Sequence, residues 1–143
     1  MKNIIGAIGE AGMPVVFPVH PRTKKFLEEY GLWNRMHANI IITEPLGYLD
    51  MLKLMRHASK ILTDSGGIQK EAYILRFPCI TLRDVTEWME TVVEGGNVLV
   101  GADIQDILLN INRDFPEFSF RNALFGDGNA AQQMSKLLHT FVD

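Results

Sequence analysis

The sequence predicts an α/β fold, a three-layer sandwich in which helices cover both faces of a parallel sheet. Three observations carry the prediction. Five short apolar runs alternate with stretches of helical spacing along the chain. The runs are nearly continuous in apolar residues, the pattern of strands buried on both faces. One of them, Lys60 to Thr63, leads through Asp64-Ser65-Gly66-Gly67 into a helical pattern, as a parallel strand leads into its crossover helix. Right-handed crossovers follow from the same geometry.

Taken in order, Ile4 to Ala11 has helical apolar spacing, and Pro14 opens a strand that lasts through Val19. A helix follows from about Arg22 to Tyr30, with a turn near Gly31. Asn39 to Thr43 reads as a short strand, followed by a helix from about Leu49 to His57. Lys60 to Thr63 is the strand before a glycine turn, and Ile68 to Leu75 the helix after it. Pro78 to Leu82 and Asn97 to Val100 are the remaining strands. Helices from about Ile104 to Arg113 and from Ala130 to Phe141 close the chain. Gly6, Gly9 and Gly12 are not a dinucleotide fingerprint, because no strand precedes them and they fall within a helical pattern. No linker, low-complexity tract or repeat divides the 143 residues, so a single domain, 1–143, is expected.

Composition narrows the function classes. A 47% hydrophobic and 22% charged chain is ordinary globular material able to bury a core. A net charge of −3 with no dense Lys/Arg cluster argues against a nucleic-acid partner. No apolar stretch reaches membrane-spanning length and no signal-peptide segment opens the chain, so no membrane partner is expected. The one cysteine, Cys79, excludes an internal disulfide and fits a reducing, cytoplasmic setting. It lies in Cys79-Ile80-Thr81-Leu82, where a buried structural thiol is expected rather than a nucleophile. His37, His57 and His139 read as surface or helix-end residues. No Cys/His/carboxylate cluster has ligand spacing, so neither a metal nor a cofactor is expected.

Chemistry concentrates in Ile61 to Ala72. A strand ending in glycines that restarts as a helix aims backbone N–H groups, and the positive end of the helix dipole, at one point that suits a phosphate. Gly66 and Gly67 let the backbone approach a pyrophosphate, and Ser65 stands at the same turn. Glu71 lies about one turn into the helix, where its carboxylate can accept from both hydroxyls of a ribose. The competing reading is plainer: Asp64 or Ser65 caps a buried helix and the glycines form its entry turn. In a parallel sheet, ligands bind beyond the carboxyl ends of the strands. His20 follows the strand ending at Val19, Ser65 follows Thr63, and Arg83 follows Leu82, so three loops can converge there. Each has a bland alternative: His20 bonded to backbone, and Arg83 paired with Asp84 or Glu87 rather than with an anion.

Six blocks in this order extend the reading: Val15 to Thr23, Glu44 to Asp50, Thr63 to Ala72, Pro78 to Trp88, Gly96 to Gly101 and Phe125 to Ala130. Together they resemble the C-terminal half of a non-hydrolysing UDP-N-acetylglucosamine 2-epimerase. The resemblance implies a Rossmann-like domain, one half of a GT-B architecture, that binds UDP or a UDP-N-acetyl sugar. It implies inversion at C2 of the sugar, with UDP eliminated in anti fashion and then re-added. It implies substrate contacts from Ser65, Gly66, Gly67, Glu71, His20 and Arg83, and from Met51 beside the uracil, where the family often carries an aromatic residue. The family's acidic catalytic residues lie in an N-terminal domain, expected to be absent here along with the strand and His-Arg-rich turn that open the C-terminal one. No catalytic residue is therefore assigned to this chain, and a separate N-terminal domain or a homodimer is the expected partner.

Three departures bear on the sugar and the loops. Trp88 stands where relatives acting on plain UDP-N-acetylglucosamine have arginine, and it resembles the branch acting on UDP-2,3-diacetamido uronic acids. Met89 replaces a proline. Asn122 to Gly128 lacks the family's proline after the asparagine, and Asp127 is expected to cap the last helix. Other classes stay open. They are the donor domain of a GT-B glycosyltransferase, a non-catalytic UDP-sugar-binding or regulatory module, and a flavodoxin-like signalling domain.

Overall fold

The computed structural model describes residues 1–115 and 124–140. Helix α1 (Lys2–Glu10) precedes β1 (Val15–Pro18), α2 (Pro21–Glu29), a short 3-10 turn (Trp33–Arg35) and β2 (Ile40–Thr43). Then come α3 (Tyr48–Met55), β3 (Ile61–Thr63), α4 (Gly66–Leu75), β4 (Cys79–Thr81), α5 (Met89–Val93), β5 (Asn97–Leu99), α6 (Ile104–Asn112) and α7 (Ala130–Thr140). Every predicted element is present. Two were not foreseen, the 3-10 turn and α5, because both are too short to show a periodic pattern. Phe141, the predicted end of α7, and Asn122-Ala123 lie outside the described residues.

All strand pairs are parallel, as the apolar runs predict, but they form two ladders. β1 pairs with β2, Val15 opposite Ile40. β4 lies between β3 and β5, with Leu62 opposite Ile80 and Ile80 opposite Val98. The two ladders share packing residues, since Ile4 and Leu62 touch the clusters on both sides.

The three-layer expectation holds fully only around β3 and β4. Ile61 and Cys79 face a cluster with Met55 of α3 and Ala72 of α4. Ile80 faces the opposite way, onto Ala7 and Ala11 of the α1 segment and Ile107 and Ile111 of α6. On β1 and β2, Val15, Phe17, Ile40 and Ile42 pack toward Ile5, Ile8 and Leu27 of α1 and α2. Their other face is open, with Val16 40% and Ile41 51% exposed. The expected cover is missing because α3 packs with α4 over β3 rather than over β1 and β2.

Local chemistry explains the element ends. Asn39 ties α1 to β1 by donating to the carbonyls of Ile8 and Met13, both at 3.0 Å. Lys60 Nζ donates to the carbonyls of Ile111 and Arg113 at the end of α6, where a cation suits the helix dipole. Gly9 is a glycine because the His37 ring lies where a Cβ would project. Cys79 is fully buried, and its desolvation pushes the thiol up to about 11, as an inert core thiol requires. α7 is amphipathic, yet Met134, Leu137 and Leu138 are each at least 60% exposed. Among the described residues no helix is long and apolar enough to cross a membrane.

Candidate diphosphate seat at the start of helix 4

The site begins with a correction. The glycines are not the turn before the helix but its first two residues, and neither has a positive φ. The turn is made by Asp64 and Ser65. Ser65 sits at the N-cap in an extended conformation, φ −86 and ψ 124, and its own N–H donates to Thr63 Oγ1 at 3.0 Å. Its hydroxyl accepts from the N–H of Ile68 at 3.5 Å. The plainer reading of Ser65 as a cap is therefore correct, and it leaves room for the other. A helix start has orphan amides, and the cap here takes the one at Ile68. The amides of Gly66 and Gly67 have no capping partner among the described residues.

Packing does not require glycine at Gly67. A Cβ there would touch only Ser65 Oγ, at 3.7 Å, and the residue is exposed. Glycine inside a helix costs about 1 kcal/mol relative to alanine. At Gly66 a Cβ would come within 3.2 Å of Trp88 Nε1 and 3.5 Å of Glu87 Oε2. The first turn of α4 is thus open at Gly67 and roofed at Gly66 by the loop that follows β4. Glu71 is half-buried and four residues beyond Gly67, so the two share one helix face.

Arg83 and Glu87 belong to that roofing loop. The Arg83 guanidinium makes two bonds to the Glu87 carboxylate, at 3.1 and 3.3 Å. Of the alternatives weighed for Arg83, the pair with Glu87 is the one formed. The Glu87 carboxyl is held below the usual range, first by its own backbone amide and then by Arg83. Trp88 is half-buried, with Lys70 Nζ 4.2 Å from its ring centroid and Phe125 edge-on at 6.0 Å. Met51 of α3 packs against the same buried cluster as Ile68 of α4.

His20 takes the place that the bland reading gave it. It is the N-cap of α2, its Nδ1 accepting from the N–H of Arg22 at 3.2 Å, with Pro21 as the first helical residue. It follows β1, in the other ladder, beside a cavity of ≈ 370 Å³ lined by Val19, Lys24, Trp33 and Glu44 among others. Asp127 differs slightly from expectation. Its carboxylate accepts from the N–H of Asn129, so it braces the turn ahead of α7 rather than the helix itself, and that bond lowers its pKa. Sequence reasoning missed Gln69, which is fully buried. The signal was available: Gln69, Ala72 and Tyr73 fall three and four apart, on one inward face.

Fold and site together define a Rossmann-like α/β domain, half of a GT-B architecture, with open amides at a strand-to-helix junction. A model of the UDP-N-acetylglucosamine 2-epimerase family matches residues 1–139, and the chain belongs to that family. It is 47% identical over 140 residues to a UDP-N-acetylglucosamine 2-epimerase homolog of Methanococcus maripaludis, covering 96% of this chain and 39% of that protein. It is 38% identical over 143 residues to the UDP-2,3-diacetamido-2,3-dideoxy-D-glucuronate 2-epimerase of Pseudomonas aeruginosa, with the same coverage of 96% and 39%. Among solved structures, the UDP-GlcNAc 2-epimerase of Methanocaldococcus jannaschii in complex with UDP-GlcNAc and UDP matches with a TM-score of 0.82 and 39% identity. That match covers 97% of this chain and 40% of the other. The chain thus spans about two fifths of the length of the relatives it matches.

Proposed function

We propose that this chain is the UDP-binding part of an enzyme that inverts C2 of a UDP-2-acetamido sugar by eliminating and re-adding UDP. The observation that carries the reading is the pair of uncapped amides at Gly66 and Gly67, on a helix whose packing leaves Gly67 open. Two N–H groups and the helix dipole bind the diphosphate and stabilise it as it departs from the sugar. Glu71, on the face of Gly67, accepts from the ribose hydroxyls. Met51 packs against the uracil through its polarisable sulfur. Arg83 exchanges Glu87 for a phosphate oxygen when the nucleotide arrives, and His20 reaches the phosphates from beyond the end of β1.

Moving a proton at C2 needs acid and base groups, which this reading puts in a separate N-terminal domain. The 143 residues alone bind UDP and do not epimerise. The sugar belongs to the 2-acetamido class, and Trp88 over the seat favours the diacetamido uronic acids within it. Calorimetry with UDP tests the binding, and proton NMR of a UDP-2-acetamido sugar tests the chemistry. A saturable UDP isotherm without C2 inversion is expected. The absence of UDP binding overturns the seat, and inversion by the chain alone overturns the division of labour.

A further inference from the structure

We propose that Gln69 and Thr86 form a positioning pair that fixes the loop after β4 against the first turn of α4. The inference rests on the reading of that turn as a diphosphate seat. Gln69 is fully buried on α4, and its Oε1 accepts from Thr86 Oγ1 at 2.6 Å and from Asn97 Nδ2 at 3.2 Å. Thr86 Oγ1 in turn accepts from the backbone N–H of Trp88 at 3.1 Å. Thr91 Oγ1 donates to the carbonyl of Trp88 at 2.7 Å and accepts from Asn97 Nδ2 at 3.1 Å. Both backbone polar groups of Trp88 are therefore held by threonines that the Gln69–Asn97 pair anchors. The indole so placed lies 3.2 Å from where a Cβ on Gly66 would be, and the Arg83–Glu87 pair sits on the same loop.

Stability alone does not account for this arrangement. Gln69 uses only its carbonyl oxygen, and its Nε2 is buried without a partner among the described residues. A partly satisfied polar group is worse for a core than an apolar side chain of similar shape. A helix and a loop held at one height do account for it. The rest of the network, Thr81 Oγ1 donating to Asn97 Oδ1 at 2.8 Å, ties the pair to β4 and β5. Gln69 touches neither phosphate nor sugar in this scheme. It acts through Thr86 and the loop.

The chain has two tryptophans, so a Trp33→Phe parent makes Trp88 the sole indole reporter. In that parent, Thr86→Val removes the hydroxyl and keeps the shape, whereas Thr86→Ser keeps the hydroxyl. Thr81→Val perturbs the same network away from the loop. Thr86→Val and Gln69→Leu are expected to red-shift Trp88 emission and raise its quenching by acrylamide without ligand. Each should weaken UDP by roughly tenfold. The double variant should be no weaker than either single one, because both changes break the same link. Thr86→Ser should restore emission and affinity, and Thr81→Val should lower the melting temperature while leaving both near the parent. Unchanged emission and affinity in Thr86→Val, or equal changes in Thr81→Val, overturn the positioning pair and leave the seat standing. If the parent itself fails to bind UDP, the seat reading falls, and the ligand-free emission and quenching alone still decide the pair.

Discussion

Two helices in this molecule begin just beyond the carboxyl end of a parallel strand, and they treat their first amides in opposite ways. At α2, Pro21 occupies the first position and has no N–H, while His20 Nδ1 takes the next donor, Arg22. At α4, the cap reaches past the first two positions to Ile68 and leaves two glycine amides open. α6 closes its start more fully, with Asp103 accepting from both Gln105 and Asp106. The same topology therefore leaves a helix start sealed or with its first amides uncapped, depending on three residues. A strand end in an α/β sheet is a place where a site can be, and the cap chemistry decides whether one is.

The comparison breaks most sharply at Gly67. Gly67→Val should drive UDP affinity to the detection limit, a loss of roughly a hundredfold or more, because the side chain fills the space the phosphates need. Gly67→Ala should separate stability from binding, raising the unfolding free energy by about 0.5–1 kcal/mol in urea titration while weakening UDP. Unchanged affinity in both variants would remove the seat. Glu71→Gln should cost roughly 1–3 kcal/mol of UDP binding through weaker ribose bonds. The deoxyribose nucleotide dUDP should lose less in that variant than UDP does, which calorimetry can read.

At the sealed end, His20→Ala should lower stability by about 1 kcal/mol through loss of the cap, and His20→Asn should recover it. UDP affinity should move less there than at Glu71. Unchanged affinity would leave His20 a cap only and take it out of the site. The smallest effect is expected at Glu87, where Glu87→Gln should strengthen UDP binding by roughly two- to fivefold by releasing Arg83 and removing a like charge. The pH dependence has a definite sign. A carboxyl whose folded pKa is lowered stabilises the fold above the usual carboxylate range and loses that contribution as pH falls through its lowered value. Because Glu87 is exposed, chemical-shift titration of its side chain rather than a melting curve is the sensitive measurement.

Much of this was legible in the chain. The order of helices and strands followed from apolar runs and their spacing, and parallel pairing followed from runs with no polar alternation, as Ile40-Ile41-Ile42 and Cys79-Ile80 illustrate. Boundaries moved by a residue or two, and α4 gained Gly66 and Gly67 because an extended Ser65 lets the helix begin earlier. The open face of β1 and β2 was not legible, since periodicity predicts burial but not which helix arrives to provide it. Nor was the choice of Glu87 over Asp84 as the partner of Arg83: a four-residue spacing permits the first and adjacency the second, and only the loop's path decides. Gln69 escaped for a related reason. A polar side chain on an apolar stripe reads as an exception until the Thr86 and Asn97 that satisfy it are brought together from 17 and 28 residues away.

By itself the sequence determined the local chemistry of this protein: a parallel α/β chain, an inert cysteine, a serine and two glycines at a strand-to-helix junction, and membership of an epimerase family. Those properties follow from short-range sterics, side-chain type and the order of motifs. Tertiary structure alone decided which loop roofs Gly66 and which face of β1 and β2 stays exposed. Each of these depends on where segments distant in the chain come to rest, and packing sets that position, not the sequence spacing.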